Sequence, residues 1–436
     1  MIKKQFLFGI IAVALTSLVF LFKFNSWPGA GNIIYLSIII LFILTIVLAI
    51  RKKKRRLLHL VTGLFWIAIT IVLSGVCFKI MNWSNTVFWP ISKLQKSLNF
   101  INIDYQSYAW PVSASEKFGI KTSLVDEKFI DTFETLDYLL SLLIVKNDTL
   151  ITEKYFRGTS VNTAFNTQSV TKSFVSILVG IAIDKGLVKN ENIRIKDLIP
   201  EYYNVNAETK KDSITIKHLL TMQAGWDNND NRNLKGYDWI GTAMSNKLQY
   251  QPGAAFLYTN ISPQFLIYIL EKQSKQNIID FANTNLFGPL NITIAYWLKT
   301  PNRKCIGGGP LFMTSRDMAR FGQLLIKRGI INGKKIVDST WINKSTMNYV
   351  KNSLMSEEVP AKGYGYLMWI DNYRNHEIWL AAGAGGQYIM MVPELNMILV
   401  TTTITNLRSE QQNKNALHIL KLLNDFVYSL LEEMNN

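Results

Sequence analysis

The chain has 436 residues, of which 48% are hydrophobic and 12% aromatic, which excludes a disordered protein and exceeds what one hydrophobic core usually holds. The two cysteines are too few for a disulfide scaffold or a cysteine-built zinc site, and the four histidines are too scattered to predict a histidine metal cluster. We therefore expect no metal and no cofactor. The net charge of +16 is typical of nucleic-acid binding, but the first 80 residues carry ten Lys and Arg and no Asp or Glu. Because much of the excess lies between apolar stretches and not on a folded face, we expect no nucleic-acid partner.

Three apolar stretches in the first 80 residues predict three transmembrane helices, at about 6–22, 33–50 and 57–78. They contain no charged residue, and a helix needs roughly 20 apolar residues to cross a bilayer. A signal peptide is the alternative for the first stretch, but no small-residue cleavage site follows it and two more apolar stretches come next. Residues 1–80 therefore predict an anchor in a lipid bilayer.

The basic residues of this region predict its orientation. Lys3 and Lys4 precede the first stretch, and the basic run 51–56 separates the second from the third. Because short cytoplasmic loops carry an excess of Lys and Arg, the N-terminus is expected in the cytoplasm and the chain beyond about residue 80 outside it. We expect a stalk or linker over 81–122 and a catalytic domain over 123–436.

The remaining chain predicts an α/β domain whose antiparallel sheet is built from distant segments. Helical spacing predicts a helix over 124–138 and an amphipathic helix over 413–431. Asn147-Asp148 predicts a hairpin turn, and the pattern over 165–345 predicts mainly helices and loops. The strand-like segments are 142–146, 150–155, 378–380, 388–392 and 397–403.

Ser169 and Lys172 form an S-x-x-K pattern directly before the apolar run 174–183. On a helix, positions three apart share a face, so the amine lies near the hydroxyl. A buried lysine loses proton affinity through desolvation and can then activate a serine near neutral pH. The alternative is an ordinary helix start.

Two further elements add the groups that acyl transfer requires. Tyr258 and Asn260 follow a Gln-Pro-Gly turn, where a phenol can relay a proton and an amide can hold the acyl side of a substrate. The run 383–387 precedes a strand, and its glycines allow close backbone approach to a ligand. Backbone N–H groups of Ser169 and Gln387 are the expected donors to an oxyanion. The alternatives are an exposed tyrosine in a turn and a flexible glycine turn.

In this order, the three elements resemble the serine beta-lactamase and penicillin-binding superfamily. The closer resemblance is to its class C-like branch, which includes esterases, D-alanyl-D-alanine carboxypeptidases and 6-aminohexanoate-dimer hydrolases, and it extends over about 135–430. Further matching segments are 214–225, 307–309, 314–322, 363–366 and 386–388. The resemblance implies a beta-lactamase/transpeptidase-like fold, in which an antiparallel sheet flanked by helices carries a helical subdomain and the cleft lies between them.

The resemblance also implies roles for single residues. Ser169 is then the nucleophile, Lys172 its activating partner and Tyr258 the general acid and base, while Asn260 positions the substrate. The substrate-binding turn is expected to comprise Ala384, Gly385, Gly386 and Gln387.

One departure concerns Ala384, which stands where many relatives carry Lys or His. Recognition of a substrate carboxylate is therefore in doubt, unless Arg303, Lys304 or Lys362 supplies the charge. We expect a membrane-anchored serine hydrolase that cleaves an amide or ester, from a small-molecule, peptide or cell-envelope substrate. A penicillin-binding D-alanyl-D-alanine carboxypeptidase and a non-catalytic receptor for an envelope ligand are the alternatives. His218 and Cys305 are expected to be structural.

Overall fold

A computed structural model describes residues 98–121, 129–203, 209–226, 238–300, 302–350 and 361–435. The chain divides into two units, Met1–Ile91 and Ser92–Asn436, and all described residues belong to the second. The three predicted transmembrane helices and the first part of the predicted linker lie outside these residues. Within the described ranges, no helix is both long enough and apolar enough to cross a membrane.

The described residues contain a seven-stranded antiparallel sheet, a four-stranded sheet and a short hairpin. The strands are β1 (Phe100–Asn102), β2 (Leu139–Lys146), β3 (Thr149–Tyr155), β4 (Thr163–Asn166), β5 (Tyr296–Trp297), β6 (Leu311–Thr314), β7 (Ile330–Ile331), β8 (Lys334–Lys335), β9 (Gly363–Tyr364), β10 (Trp369–Tyr373), β11 (His376–Gly383), β12 (Gln387–Val392) and β13 (Met397–Thr403). The strand orders are β3-β2-β13-β12-β11-β10-β9 in the large sheet, β1-β4-β6-β5 in the four-stranded sheet and β7-β8 in the hairpin.

Most helices of the described ranges lie, in sequence, between β4 and β9. They are α1 (Asp131–Glu134), α2 (Thr171–Asp184), α3 (Ile195–Leu198), α4 (Ile216–Leu220), α5 (Trp239–Ser245), α6 (Ile261–Ser274), α7 (Ile278–Ala282), α8 (Ser315–Ile326), α9 (Ser339–Ser345) and α10 (Ser409–Asn435). Single 3-10 turns include Gln168–Val170, directly before α2, and a π-helical turn spans Asn283–Phe287.

The predicted large sheet is confirmed, including its closure by distant segments. Asn147 and Asp148 both have left-handed backbone angles, with φ of 49° and 62°, as a two-residue hairpin turn requires. Strand β2 pairs with β13, so the first and last strands of this sheet along the chain lie side by side. The helix expected over 124–138 is only four residues long where it is described, as α1.

Helices cover both faces of this sheet. Tyr388 on β12 donates its hydroxyl to the carbonyl of Ala416 in α10. A Cβ atom on Gly322 of α8 would lie 3.0 Å from the side chain of the next strand residue, Ile389. Because successive strand residues point to opposite faces, α8 and α10 lie on opposite sides of the sheet. That double burial explains why every residue of β12 and β13 is buried and why 388–392 and 397–400 are continuously apolar.

The second sheet was not expected from the sequence, and it recruits part of the predicted linker. Strand β1 pairs antiparallel with β4. Trp110, also from this segment, is buried and donates its indole N–H to the carbonyl of Arg316 at 3.1 Å. Residues 98–121 therefore pack on the folded unit, and β4 leads directly into the start of α2.

Helix α2 lies in the core and is buried on all sides from Thr171 to Ala182. Phe174 stacks on Phe321 of α8 with ring centroids 3.8 Å apart. At Gly180, an added Cβ would meet the Trp341 ring at 2.3 Å, so only glycine allows this contact. The helix is thus held from several sides, and its N-terminal end is a rigid place for a reactive group.

Candidate active site

The chain reverses sharply between β4 and α2, and Ser169 lies on that turn. Gln168 has a left-handed φ of 50°, which is uncommon for a residue with a Cβ. Its N–H donates to the side-chain oxygen of Asn166 at 3.0 Å, and the amide of Asn166 donates to the carbonyl of Leu98 at 2.9 Å. The strained conformation is therefore fixed by buried hydrogen bonds, as is common at functional sites.

Two threonines fasten this turn to β6. Thr167 donates its hydroxyl to the carbonyl of Leu311 at 2.7 Å. Thr171 donates to the carbonyl of Gln168 at 2.8 Å and accepts from the N–H of Leu311 at 3.2 Å. Both threonine hydroxyls hydrogen-bond to backbone groups, whereas the neighbouring hydroxyl of Ser169 contacts the amine of Lys172.

Lys172 lies one helical turn after Ser169 and is only 1% exposed. Its Nζ is 2.7 Å from Ser169 Oγ and 3.5 Å from the carbonyl oxygen of Gly308. The S-x-x-K spacing thus places the amine on the hydroxyl, as the sequence predicts. A buried serine–lysine contact of this length suits proton transfer.

Tyr258 is half-buried and faces the same amine. Lys172 Nζ lies 4.7 Å from the centroid of the tyrosine ring. The ring packs on Trp369 at 5.5 Å and edge-on to Tyr364 at 6.2 Å. Burial and the nearby Tyr258 raise the pKa of Tyr364 well above its ordinary value. Ser169, Lys172 and Tyr258 are therefore together, within an aromatic wall that the sequence did not reveal.

Asn260 immediately precedes α6, and its side chain lies beside Gly308. A Cβ atom on Gly308 would be 2.4 Å from Asn260 Oδ1 and 2.9 Å from Lys172 Nζ. Only glycine therefore fits between these two side chains. The three consecutive glycines at 307–309 were the sequence signal for this approach, although their contact with Lys172 was not expected.

The glycine turn after β11 reaches the Ser169 turn through its first residue. A Cβ on Gly383 would lie 2.5 Å from the carbonyl of Thr167, so the strand end touches the turn directly. Gly385 and Gly386 have φ of 87° and 103°, and Ala384 between them and the strand is half-exposed.

Gln387 is fully buried, and its side chain is committed to the sheet. Its amide donates to the hydroxyl of Thr403 at 2.6 Å and to its carbonyl at 3.0 Å, and its oxygen accepts from the Thr403 N–H at 3.1 Å. The side chain therefore joins β12 to β13. Only the backbone of Gln387 remains for the predicted oxyanion role, which stays a prediction.

Two of the cations considered as replacements at position 384 have acidic partners. Lys304 pairs with Glu271 at 2.7 Å, and Lys362 pairs with Asp371 at 3.8 Å. An ammonium that is engaged elsewhere is a poor partner for a substrate carboxylate. The part of the chain that the structure describes contains no group of three His, Cys, Asp or Glu side chains arranged to hold a metal ion.

His218 and Cys305 have structural surroundings. The N–H of Thr215 donates to His218 Nδ1 at 3.3 Å, and the hydroxyl of Thr215 accepts from the His218 N–H, which caps α4. Burial, and secondarily the charge of Lys217, lowers the pKa of His218. Burial raises the pKa of the Cys305 thiol to about 12, which leaves it unreactive.

Several known proteins are similar to this chain over part of its length. An uncharacterized protein of Alkalihalophilus pseudofirmus is 25% identical over 297 residues, which are 60% of this chain and 82% of that protein. Protein flp of Staphylococcus aureus is 25% identical over 177 residues, which are 37% of this chain and only 35% of the relative.

Solved structures share the fold at lower identity. A protein described as a 6-aminohexanoate-dimer hydrolase from Bacillus anthracis has a TM-score of 0.59 and 19% identity, covering 80% of this chain and 94% of that one. A D-stereospecific amidohydrolase from Streptomyces has a TM-score of 0.53 and 14% identity, covering 68% and 98%. A penicillin-binding protein from Bacillus halodurans has a TM-score of 0.51 and 15% identity, covering 67% of this chain and 99% of that one. The family model described as beta-lactamase matches residues 140–423, and this chain therefore belongs to the beta-lactamase family.

Proposed function

We propose that the protein is a serine hydrolase that cleaves an amide or ester through an acyl-enzyme on Ser169. The observation that carries the proposal is the 2.7 Å contact between the buried Lys172 Nζ and Ser169 Oγ. A serine hydroxyl is a weak nucleophile in water and requires an adjacent base. Lysine is an effective base inside a protein because burial favours its neutral form.

The proposed reaction has two halves. In acylation, Lys172 takes the proton of Ser169 Oγ, the oxygen attacks the substrate carbonyl, and Tyr258 passes a proton to the departing amine or alcohol. In deacylation, Lys172 and Tyr258 take a proton from a water molecule, and the water oxygen attacks the acyl carbon. The same two residues return a proton to the departing Ser169 Oγ, which releases a carboxylic acid and restores Ser169. Backbone N–H groups of Ser169 and Gln387 are the proposed donors to the oxyanion in both halves.

The proposed substrate is a neutral ester or amide. Ala384 offers no cation, and both Lys304 and Lys362 already have acidic partners. Trp369 and Tyr364 pack around Tyr258 and add no cation there. Two proteins of the same fold are named for cleaving amides, a 6-aminohexanoate-dimer hydrolase and an amidohydrolase, and this favours an amide.

The second candidate within the enzyme class is a D-alanyl-D-alanine carboxypeptidase, and it is favoured by the likeness to a penicillin-binding protein. That activity requires recognition of a free carboxylate. A receptor without turnover is the alternative from another class, and the close Ser169–Lys172 contact argues against it. Hydrolysis of a matched acid and methyl ester separates the three functions.

The main experiment is covalent labelling of the full-length protein with a fluorophosphonate, followed by mapping of the modified peptide. We expect the label on Ser169. Ser173 and Ser176 lie on the same helix and serve as internal controls, because both are buried and Ser173 donates its hydroxyl to the carbonyl of Leu367. Absence of any label on Ser169, together with absence of ester and amide hydrolysis, would refute the proposed function.

We further propose that the N-terminal apolar helices anchor the hydrolase in a cell membrane, with the catalytic domain outside the cytoplasm. The support is the sequence alone, namely three apolar stretches and the basic run 51–56. A reporter that is active only outside the cytoplasm should be active when fused after Lys96 and inactive when fused at Lys54. The opposite result would exclude cell-envelope substrates.

A further inference from the structure

A buried glutamine joins the start of α6 to the loop that touches Lys172. Gln264 is 5% exposed, and both ends of its amide are used. Its nitrogen donates to the carbonyl of Cys305 at 3.1 Å, and its oxygen accepts from the N–H of Gly307 at 3.0 Å. Residues 305–309 are named the glycine loop below. The glutamine amide offers a donor and an acceptor at once, and both are used here.

The glycine loop packs directly on the first turn of α6. A Cβ on Gly307 would lie 2.3 Å from the carbonyl oxygen of Pro263, and one on Gly308 would lie 2.4 Å from Asn260 Oδ1. Asn260 and Gln264 are four residues apart, so they share one side of the helix. Gly308 is thus held between this helix and the amine of Lys172.

Further anchors of the loop act on Cys305, which forms an isolated antiparallel bridge with Lys299, and on Ile306. Its N–H donates to the carbonyl of Leu298 at 2.9 Å, and its carbonyl accepts the indole N–H of Trp297 at 3.0 Å. Gln264 is bonded to the residues on both sides of Ile306. It therefore ties Gly307, the residue directly before Gly308, to α6.

We infer that Gln264 is a positioning residue, which keeps Lys172 aligned on Ser169 by holding Gly308 against the amine. The inference rests on the proposed function, because it assigns a role in that reaction. Loss of either hydrogen bond leaves a buried backbone group unpaired, and the loop can then shift. A displacement of about 1 Å near a reacting group can lower a rate by about a hundredfold.

The test compares two kinds of substitution in the full-length protein. Gln264→Met keeps the length of the side chain and removes both hydrogen bonds, and Gln264→Glu keeps the acceptor alone. Gln323→Met is the matched control, since Gln323 on α8 is also buried, at 7% exposure. Its amide nitrogen donates to the Asp148 carboxylate at 2.6 Å, and its amide oxygen accepts from Arg320. Turnover of p-nitrophenyl butyrate is measured for each, together with the rate of fluorophosphonate labelling at Ser169.

We expect kcat to fall about ten- to a hundredfold in Gln264→Met, with KM changed less than about threefold. The dependence of kcat on pH should shift in both Gln264 variants, since the amine changes its surroundings. Gln323→Met should lower the melting temperature and leave kcat and its pH profile unchanged. If Gln264→Met does not fold, Gln264→Glu decides by the same measurements.

A folded Gln264 variant with the parent kcat and the parent pH profile would overturn the inference and leave the proposed function intact. Equal loss of kcat in Gln323→Met would also overturn it, because the effect would then reflect general destabilisation. A parent protein without turnover and without label at Ser169 would remove the proposed function, and the inference with it.

Discussion

Two helices of this protein begin directly after paired strands, and only one of them presents a reactive group. Helix α8 follows β6 with Thr314 in an extended conformation, and the Thr314 hydroxyl accepts from the N–H of Asp317 at 3.1 Å. Asp317 in turn accepts from the N–H of Tyr108 and from the Thr314 hydroxyl, and Ser315 Oγ is 2.6 Å from Ser141 Oγ. Every polar side chain at that start serves the fold.

Helix α2 follows β4 differently. Its preceding turn contains a left-handed Gln168 and has no side-chain cap. Ser169 meets the amine of Lys172 instead of a backbone group. Both starts are rich in hydroxyls and charges in the sequence, so residue type alone does not separate them. The difference teaches that a helix start with saturated caps is structural, whereas a strained start with a serine beside a buried amine is a candidate site.

The largest expected effect separates the serines of the two helix starts. Ser169→Ala should abolish covalent labelling and lower kcat by on the order of 10⁶, because nucleophile and base act as a unit. Ser315→Ala removes one buried hydrogen bond and should cost about 1 kcal/mol of unfolding free energy with kcat unchanged. Ester hydrolysis and urea unfolding measure the two quantities. Retained turnover in Ser169→Ala would place the nucleophile elsewhere.

The next effect tests whether the groups around Ser169 cooperate. Lys172→Ala and Tyr258→Phe should each lower the acylation rate by about 10²- to 10⁴-fold, and the double variant should be little worse than the worse single one. Lys211→Met is the matched control, since Lys211 is also a buried lysine and donates to the carbonyl of Met244. It should affect stability and not the acylation rate. Strict additivity of the two losses would contradict a shared proton path.

A smaller effect concerns the turn that touches the start of α2. Because position 384 carries no charge, a methyl ester should be cleaved at least as well as its free acid. Ala384→Lys should raise the ratio of kcat/KM for acid over ester by about ten- to a hundredfold, as a charge-assisted hydrogen bond allows. A strong preference of the parent for the free acid would support the carboxypeptidase instead.

The smallest effect concerns a third helix start, at α4, whose cap requires a neutral imidazole. The pKa of His218 is lowered in the folded state, chiefly by burial, so its contribution to stability is complete above the unfolded value of about 6.5. That contribution is lost as pH falls through the lowered folded pKa. Urea unfolding between pH 7.5 and 5 should therefore show a steeper loss of stability in the parent than in His218→Gln. Equal slopes would show that this cap does not depend on protonation.

Local patterns predicted much of the sheet and the reactive pair. Asn147-Asp148 predicted the β2–β3 hairpin because its residues tolerate left-handed angles. The strand-like segments 388–392 and 397–403 predicted β12 and β13, since strands buried on both faces carry apolar runs such as 388–392 and 397–400. The S-x-x-K pattern predicted the contact of Ser169 with Lys172, because three residues make nearly one helical turn.

The sequence did not predict the four-stranded sheet, and the reason is physical. Strand β4 has four residues and β1 has three, and neither carries enough residues for a periodic pattern. Their pairing brings together segments about 60 residues apart, which no local window contains. The segment expected as a linker contributes β1 and the buried Trp110 to the same unit.

The sequence by itself determined which groups are candidates for the proposed chemistry: a serine one helical turn before a lysine, a tyrosine two residues before an asparagine, and a glycine turn without a cation. Only the tertiary structure decided what surrounds them. Gly308 reaches Lys172 because α6 and the glycine loop pack together, Trp369 reaches Tyr258 through β10, and Gln387 is turned into the sheet by Thr403. Hydrogen bonds within one helical turn follow from spacing, whereas contacts between distant segments follow from how the whole core packs.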